Sequence, residues 1–184
     1  FSLERRVSSE ATSPAIDEVR NLTLQKIGRN MVSFQKLEGM LKHLLTFGQF
    51  DGSLSTLGAT LEKTKKANSR KTMGALVPEV AATLFAEETV EQDGHKPLSE
   101  PRISMNIRVA GGKQAADAWK EALLAVTNER NELVHPLLVE FNTDSVENCH
   151  ELCAKLDAQR ERIQPVYKHI QSILVALKEA QGEM

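Results

Sequence analysis

Aromatic side chains are scarce: Phe, Trp and Tyr make up 4% of 184 residues, with one Trp and one Tyr. A core of ordinary size must then be filled by Leu, Ile, Val and Ala, which suit the packing of helix on helix. Cysteine is nearly absent as well. Cys149 and Cys153 are the only two, four apart on a helical stretch where their Cβ vectors diverge, so no disulfide is expected. Recruiting His150 would make a Cys-His-x-x-Cys cluster, but zinc wants four convergent ligands and His150 lies about 100° around a helix from Cys149. The two thiols therefore read as reduced, half-buried small hydrophobes, with no metal and no cofactor.

Charge of one sign is also missing. A formal net charge of -2 excludes a general electrostatic attraction for duplex DNA, so any nucleic-acid contact must be local. No apolar run approaches the roughly 20 residues that cross a bilayer, and no apolar h-region of a secretory signal is seen near Phe1, so the expectation is a cytoplasmic protein without a membrane partner.

What is present is helical periodicity. Residues 1–12 are polar and aperiodic and read as a flexible segment; residues 13–184 read as one helical domain. Ser13-Pro14 supplies a cap and a first-turn proline. Ile16, Val19, Ile27, Met31, Phe34, Leu37, Leu41, Leu44 and Leu45 then keep close to the 3.6 period until Gly48 and Asp51-Gly52 end the pattern. A second helix, capped by Ser53 or Ser55, carries Leu54, Leu57 and Leu61, and a shorter one over 72–85 is expected to break near Pro78.

An irregular insert spans about 87–112. It holds an acidic stretch, two prolines, the alternating Ile103-Ser104-Met105-Asn106-Ile107-Arg108-Val109, and Gly111-Gly112. The alternation predicts a strand, which must pair with residues near 85–91 or across a dimer. A helix over 113–135 follows, buried through Ala115, Trp119, Ala122, Leu123, Val126 and Leu133. Pro136 predicts that it stops or kinks at His135. Asp144 with Glu147 reads as the capping signature of a long last helix that can kink at Pro165. The fold class expected is an all-α bundle with long first and last helices and a small strand-bearing insert.

Two features carry chemistry. Lys63, Lys65, Lys66, Arg70 and Lys71 place five cations within nine residues, either a solvated helix end or a phosphate-contacting patch in which Lys65, Lys66, Arg70 and Lys71 touch RNA. The other is Arg130-Asn131-Glu132-Leu133-Val134-His135, the single place where a histidine follows an arginine by five residues. Histidine titrates near neutrality and a guanidinium clamps phosphate with two parallel donors, which together suit attack of a ribose 2′-hydroxyl on its own phosphodiester. On an ideal helix the two Cβ atoms lie about 140° apart, so one helix cannot aim both at one atom, whereas a second copy across a two-fold axis can. Asn131 shares a face with His135 and can orient the imidazole or the phosphate, with Glu129 and Glu132 as further candidates. The plainer alternative pairs Arg130 with a neighbouring glutamate and leaves His135 at the helix C-terminus, where positive charge is favourable. His43 and His169 read as core-edge or surface residues, and His95 falls in a loop.

The run Glu129-Arg130-Asn131-Glu132-Leu133-Val134-His135 resembles the Arg-Asn-x-x-x-His signature of the HEPN family, helical-bundle ribonucleases and toxins. The likeness is specific over these seven residues and elsewhere rests on helix order; the strand-bearing insert departs from the minimal bundle. It implies a metal-independent endoribonuclease of a toxin–antitoxin or phage-defence system, acting as a homodimer with His135 as base or acid, Arg130 as phosphate clamp and Asn131 beside them. The partners implied are RNA, a second copy and a cognate antitoxin such as a nucleotidyltransferase. Non-catalytic HEPN-like modules that bind a nucleotide, RNA or a partner protein are the alternative.

Overall fold

The computed structural model describes residues 14–84, 101–110, 112–142 and 144–182. The expected flexible segment 1–12, the acidic stretch with His95 and the expected pairing partner at 85–91 lie outside the described residues. The elements run α1 (Pro14–Phe47), β1 (Gln49–Ser53), α2 (Leu57–Ser69), α3 (Met73–Leu84), β2 (Arg102–Asn106) and α4 (Gly112–Glu132). A π-helical turn (Leu133–Leu137), α5 (Leu138–Glu140) and α6 (Val146–Gly182) complete them. The architecture is all-α with a small two-stranded antiparallel sheet, as expected, and no helix among the described residues is long and apolar enough to cross a membrane.

The two long helices lie side by side and parallel. Thr23 of α1 meets Cys149 and Cys153 of α6, and about two turns further on Asn30 meets Leu156 and Gln159. Their apolar stripes supply most of the core: Phe34, Leu37, Leu41 and Leu44 face Leu156, Ile163, Ile170 and Leu177, all essentially buried. Cys149 and Cys153 are fully packed into this seam rather than half-buried, while His150 is exposed, so the three do not converge.

α4 closes the bundle antiparallel to α6, with Trp119 stacked on His169 at a centroid distance of 3.8 Å and Glu129 seated on Gln159 and Arg162. α3 runs back along α4: Gly74 lies against Thr127, and the Val109 amide donates to the Leu84 carbonyl at the other end. The expected break at Pro78 does not occur. Pro78 is exposed, and so is Gly74, whose carbonyl loses its helical partner to the proline, so water can take the place of the missing N–H.

Among the described residues the strand has an unexpected partner. β2 pairs with β1 in the register Gln49↔Asn106 to Ser53↔Arg102, and Arg102 holds Asp51 through two hydrogen bonds of 2.8 and 2.6 Å. That guanidinium keeps the Asp51 carboxyl below the usual carboxylate range. Residues 49–53 read as a helix end and turn because Asp51-Gly52 is a turn signal, and only a strand 50 positions away can override it.

Gly48 joins α1 to this ribbon. A Cβ there would sit 2.4 Å from the Leu44 carbonyl oxygen, which already accepts the Gly48 N–H at 2.7 Å. Gly48→Ala is therefore expected to cost about 1–3 kcal/mol, the range for forced overpacking, read as a lower midpoint in thermal denaturation; an unchanged midpoint would show that the junction yields freely.

α6 starts at a different cap from the one expected. Ser145 Oγ accepts the Asn148 amide at 3.3 Å and donates to Glu147, while the Asp144 amide donates to the Asn142 side chain. Ser and Asp cap helices almost equally well, so adjacent residues leave the choice to the loop that feeds them. Pro165 is exposed and α6 continues through it.

Candidate active site

Arg130, Asn131 and His135 occupy the last turn of α4 and the π turn that follows. The helix was expected to stop or kink at His135, and instead it widens. In an α-turn the Pro136 ring would press on the carbonyl of Glu132; an i→i+5 turn has room for the ring, and the Leu138 amide donates to Leu133 O to close it.

Leu133, fully buried, is the anchor of this turn. The side chains around it point the other way: Asn131 and His135 are exposed, and Arg130 is partly buried with its Nη1 donating to Asn131 Oδ1 at 3.1 Å. No hydrogen bond joins His135 to Arg130 or Asn131 among the described residues. Arg130 makes no ion pair there, so the expected alternative of a neighbouring glutamate is not realised.

Glu129 has another task. Its carboxylate bonds Arg162 through both oxygens and accepts from Gln159 Nε2, which also reaches the Glu129 carbonyl at 2.9 Å. Gln159 is buried and receives the Asn30 amide at 3.0 Å, so a chain of hydrogen bonds ties α1, α6 and the motif helix together. The carboxylate raises the Arg162 pKa and is itself only 15% exposed, so Glu129 is tied to α6 and is not free to act beside Arg130. Arg162 and Gln159 are unremarkable in the sequence; their role arises from contacts 30 or more residues away.

The basic run divides. Lys65 and Lys66 are exposed on α2, Lys65 facing Glu62 at 3.5 Å, and Lys71 is paired with Glu79. Because Gly74 packs on Thr127, the α2–α3 turn carrying Arg70 and Lys71 lies beside α4 about one turn before Asn131, whereas Lys65 and Lys66 lie further back along α2.

A shallow groove flanks the motif, lined by Glu129, Glu132, Leu137, Lys155, Gln159 and Arg162. Arg130, Asn131 and His135 do not line it. They stand on the outer surface, where Leu124, Asn128, Asn131, His135 and Val139 follow one another at intervals of four, three, four and four. All five are exposed, Val139 to 80%, and none carries a permanent charge.

No family model, curated protein or solved structure matches the chain. The class defined by its architecture is an all-α bundle bearing a two-stranded ribbon, with a histidine-containing π turn on its surface.

His43 and His169 sit at the core edge, as expected. Burial holds both below the ordinary histidine range, with the charge of Lys178 a second cause for His43; among the described residues His169 Nε2 is buried without a hydrogen-bond partner. As pH falls, the unfolded chain then takes up these protons first. Stability is fully present above about pH 6.5 and is lost as pH drops from there toward the lowered folded values. Urea denaturation followed by Trp119 fluorescence is expected to show a lower midpoint near about pH 5.5 than near about pH 7.5, and a smaller difference in His169→Phe. Equal pH responses in the two proteins would remove His169 as a cause.

Proposed function

We propose that the protein is a metal-independent endoribonuclease of HEPN type, working as a homodimer, with His135 as general acid or base, Arg130 as phosphate clamp and Asn131 positioning them. The observation that supports this reading is that Asn131 and His135 are exposed, with Arg130 partly so, where α4 passes into a π turn anchored by the buried Leu133. π turns are frequent at functional sites.

The uncharged line from Leu124 to Val139 supports the dimer. Its centre is Asn131 and His135, and two copies related by a two-fold axis can bring these lines together without opposing like charges. Each His135 would then lie near the Arg130 of the other copy. A cognate antitoxin, such as a nucleotidyltransferase, would act by covering this same surface, and a cytoplasmic toxin or defence effector is the setting the resemblance implies.

The test is RNA cleavage in EDTA. Products ending in a 2′,3′-cyclic phosphate are expected, because the attacking group is the substrate's own hydroxyl. Saturable RNA binding without cleavage would replace this reading with the non-catalytic HEPN-like module.

A further inference from the structure

Apart from the α2 run, a second cationic surface is a groove on the opposite side of the bundle from α4. It lies along the α1–α6 seam and is lined by Lys36, Gly39 and His43 of α1 and Tyr167, Leu174 and Lys178 of α6. Tyr167 is two residues from His169, which faces Trp119 of α4, so the two point about 160° apart around α6 and the groove opens away from the motif helix.

No acidic side chain lines the groove, in a chain whose acids outnumber its bases, 25 to 23. The seam extends the same charge. Arg29, Lys36 and His43 recur every seven residues on α1, and Arg160 precedes Tyr167 by seven on α6, so each set shares a face. One acid interrupts them: Asp157, whose carboxyl is held below its usual range by Lys26 first and Arg29 second. Lys36, Arg160 and Lys178 form no ion pair among the described residues. Gly39 leaves the floor open, since a Cβ there would meet nothing within 4 Å.

We propose that this seam groove binds the phosphodiester backbone of a single-stranded nucleic acid, with Lys36 and Lys178 contacting phosphates and Tyr167 offering a ring on which a base can stack. A cationic channel with an aromatic side chain in it is the arrangement that holds single strands without reading their sequence, and the overall net charge confines the contact to this face. The assignment stands apart from the nuclease reading because it concerns binding on a different face of the bundle.

The test uses the full chain and a fluorescent 2′-O-methylated RNA oligonucleotide, which cannot be cleaved, with anisotropy measured over a range of NaCl. Gly39→Glu fills the groove with negative charge while replacing a mid-helix glycine, which favours folding, so lost binding with a melting point no lower than wild type reports the groove itself. That variant and the Lys36→Glu/Lys178→Glu pair are each expected to weaken binding at least about tenfold. The double reversal should also flatten the salt dependence by about 1.4, from about 0.7 per phosphate contact on a single strand. Unchanged affinity in both groove variants overturns the proposal, as does loss of binding in Lys65→Glu/Lys66→Glu with the groove intact. Binding of poly-glutamate in preference to the oligonucleotide would assign the groove to an acidic protein segment and overturn it equally.

Discussion

Replacing His135 by alanine is expected to reduce RNA cleavage by roughly 10²- to 10⁴-fold, the range for removal of a positioned general acid or base, with RNA binding little changed. Arg130→Lys should lose activity as well, because an ammonium keeps the charge but not the two parallel donors that grip a phosphate. Neither substitution touches the core: His135 is exposed, and Arg130's described hydrogen bond goes to Asn131 on the surface. A melting point within error of wild type is the companion result.

The two variants also discriminate where the site lies. If each site takes its histidine from one copy and its arginine from the other, a heterodimer of His135→Ala and Arg130→Ala subunits keeps one intact site. Mixing the inactive proteins at equal amounts should then restore about a quarter of wild-type activity, half the dimers being mixed and half their sites whole. Activity in either variant alone would remove that residue from the chemistry. No recovery on mixing, with dimers present, would place both groups of a site in one chain.

Leu133→Ala is expected to give the largest loss of stability tied to the site, about 2–5 kcal/mol, the range for deleting a buried leucine. Leu133 is fully buried, and the carbonyl of this same residue accepts the Leu138 amide that closes the π turn. For a chain of this size that is a fall in melting temperature of roughly 5–15 °C. Cleavage measured well below the new midpoint should still drop, because the cavity frees the backbone on which Arg130 and His135 are mounted. Neighbouring Val134, partly buried, provides the comparison: Val134→Ala should cost about 1 kcal/mol and spare activity. Full cleavage in folded Leu133→Ala would show that the turn's geometry does not matter to the chemistry.

Much of the bundle could be read in advance because its helices are long. Over the 34 residues of α1 or the 37 of α6 the apolar period repeats often enough to place Phe34, Leu37, Leu41, Ile163 and Ile170 inside. Prolines were harder. Pro78 reads as a break and Pro165 as a kink, yet both are exposed, where water can serve the carbonyl that loses its partner; Pro136 is accommodated by a wider turn that no residue pattern announces.

The motif was legible as residues and not as geometry. Arg130, Asn131 and His135 stand out by spacing, but whether they face solvent, a groove or one another depends on how α4 is rotated, and that is decided by Leu133 in the core and by the Glu129–Gln159–Asn30 hydrogen bonds. The basic surfaces differ in the same respect. Lys63 to Lys71 holds five cations within nine residues, while Lys36 and Lys178 lie 142 positions apart and become one surface only when two parallel helices are laid together.

What the sequence by itself determined is therefore local: helix type, the inward stripe, the strand's alternation, and the residue types able to handle a phosphodiester. Tertiary structure alone decided the rest: β2's partner in residues 49–53, the π turn at His135, the tying of Glu129 to α6, and the basic seam. The physical reason is range. Backbone propensity and periodicity act over a few residues, whereas strand pairing, buried hydrogen bonds and clustered charge depend on groups brought together only when the apolar faces close.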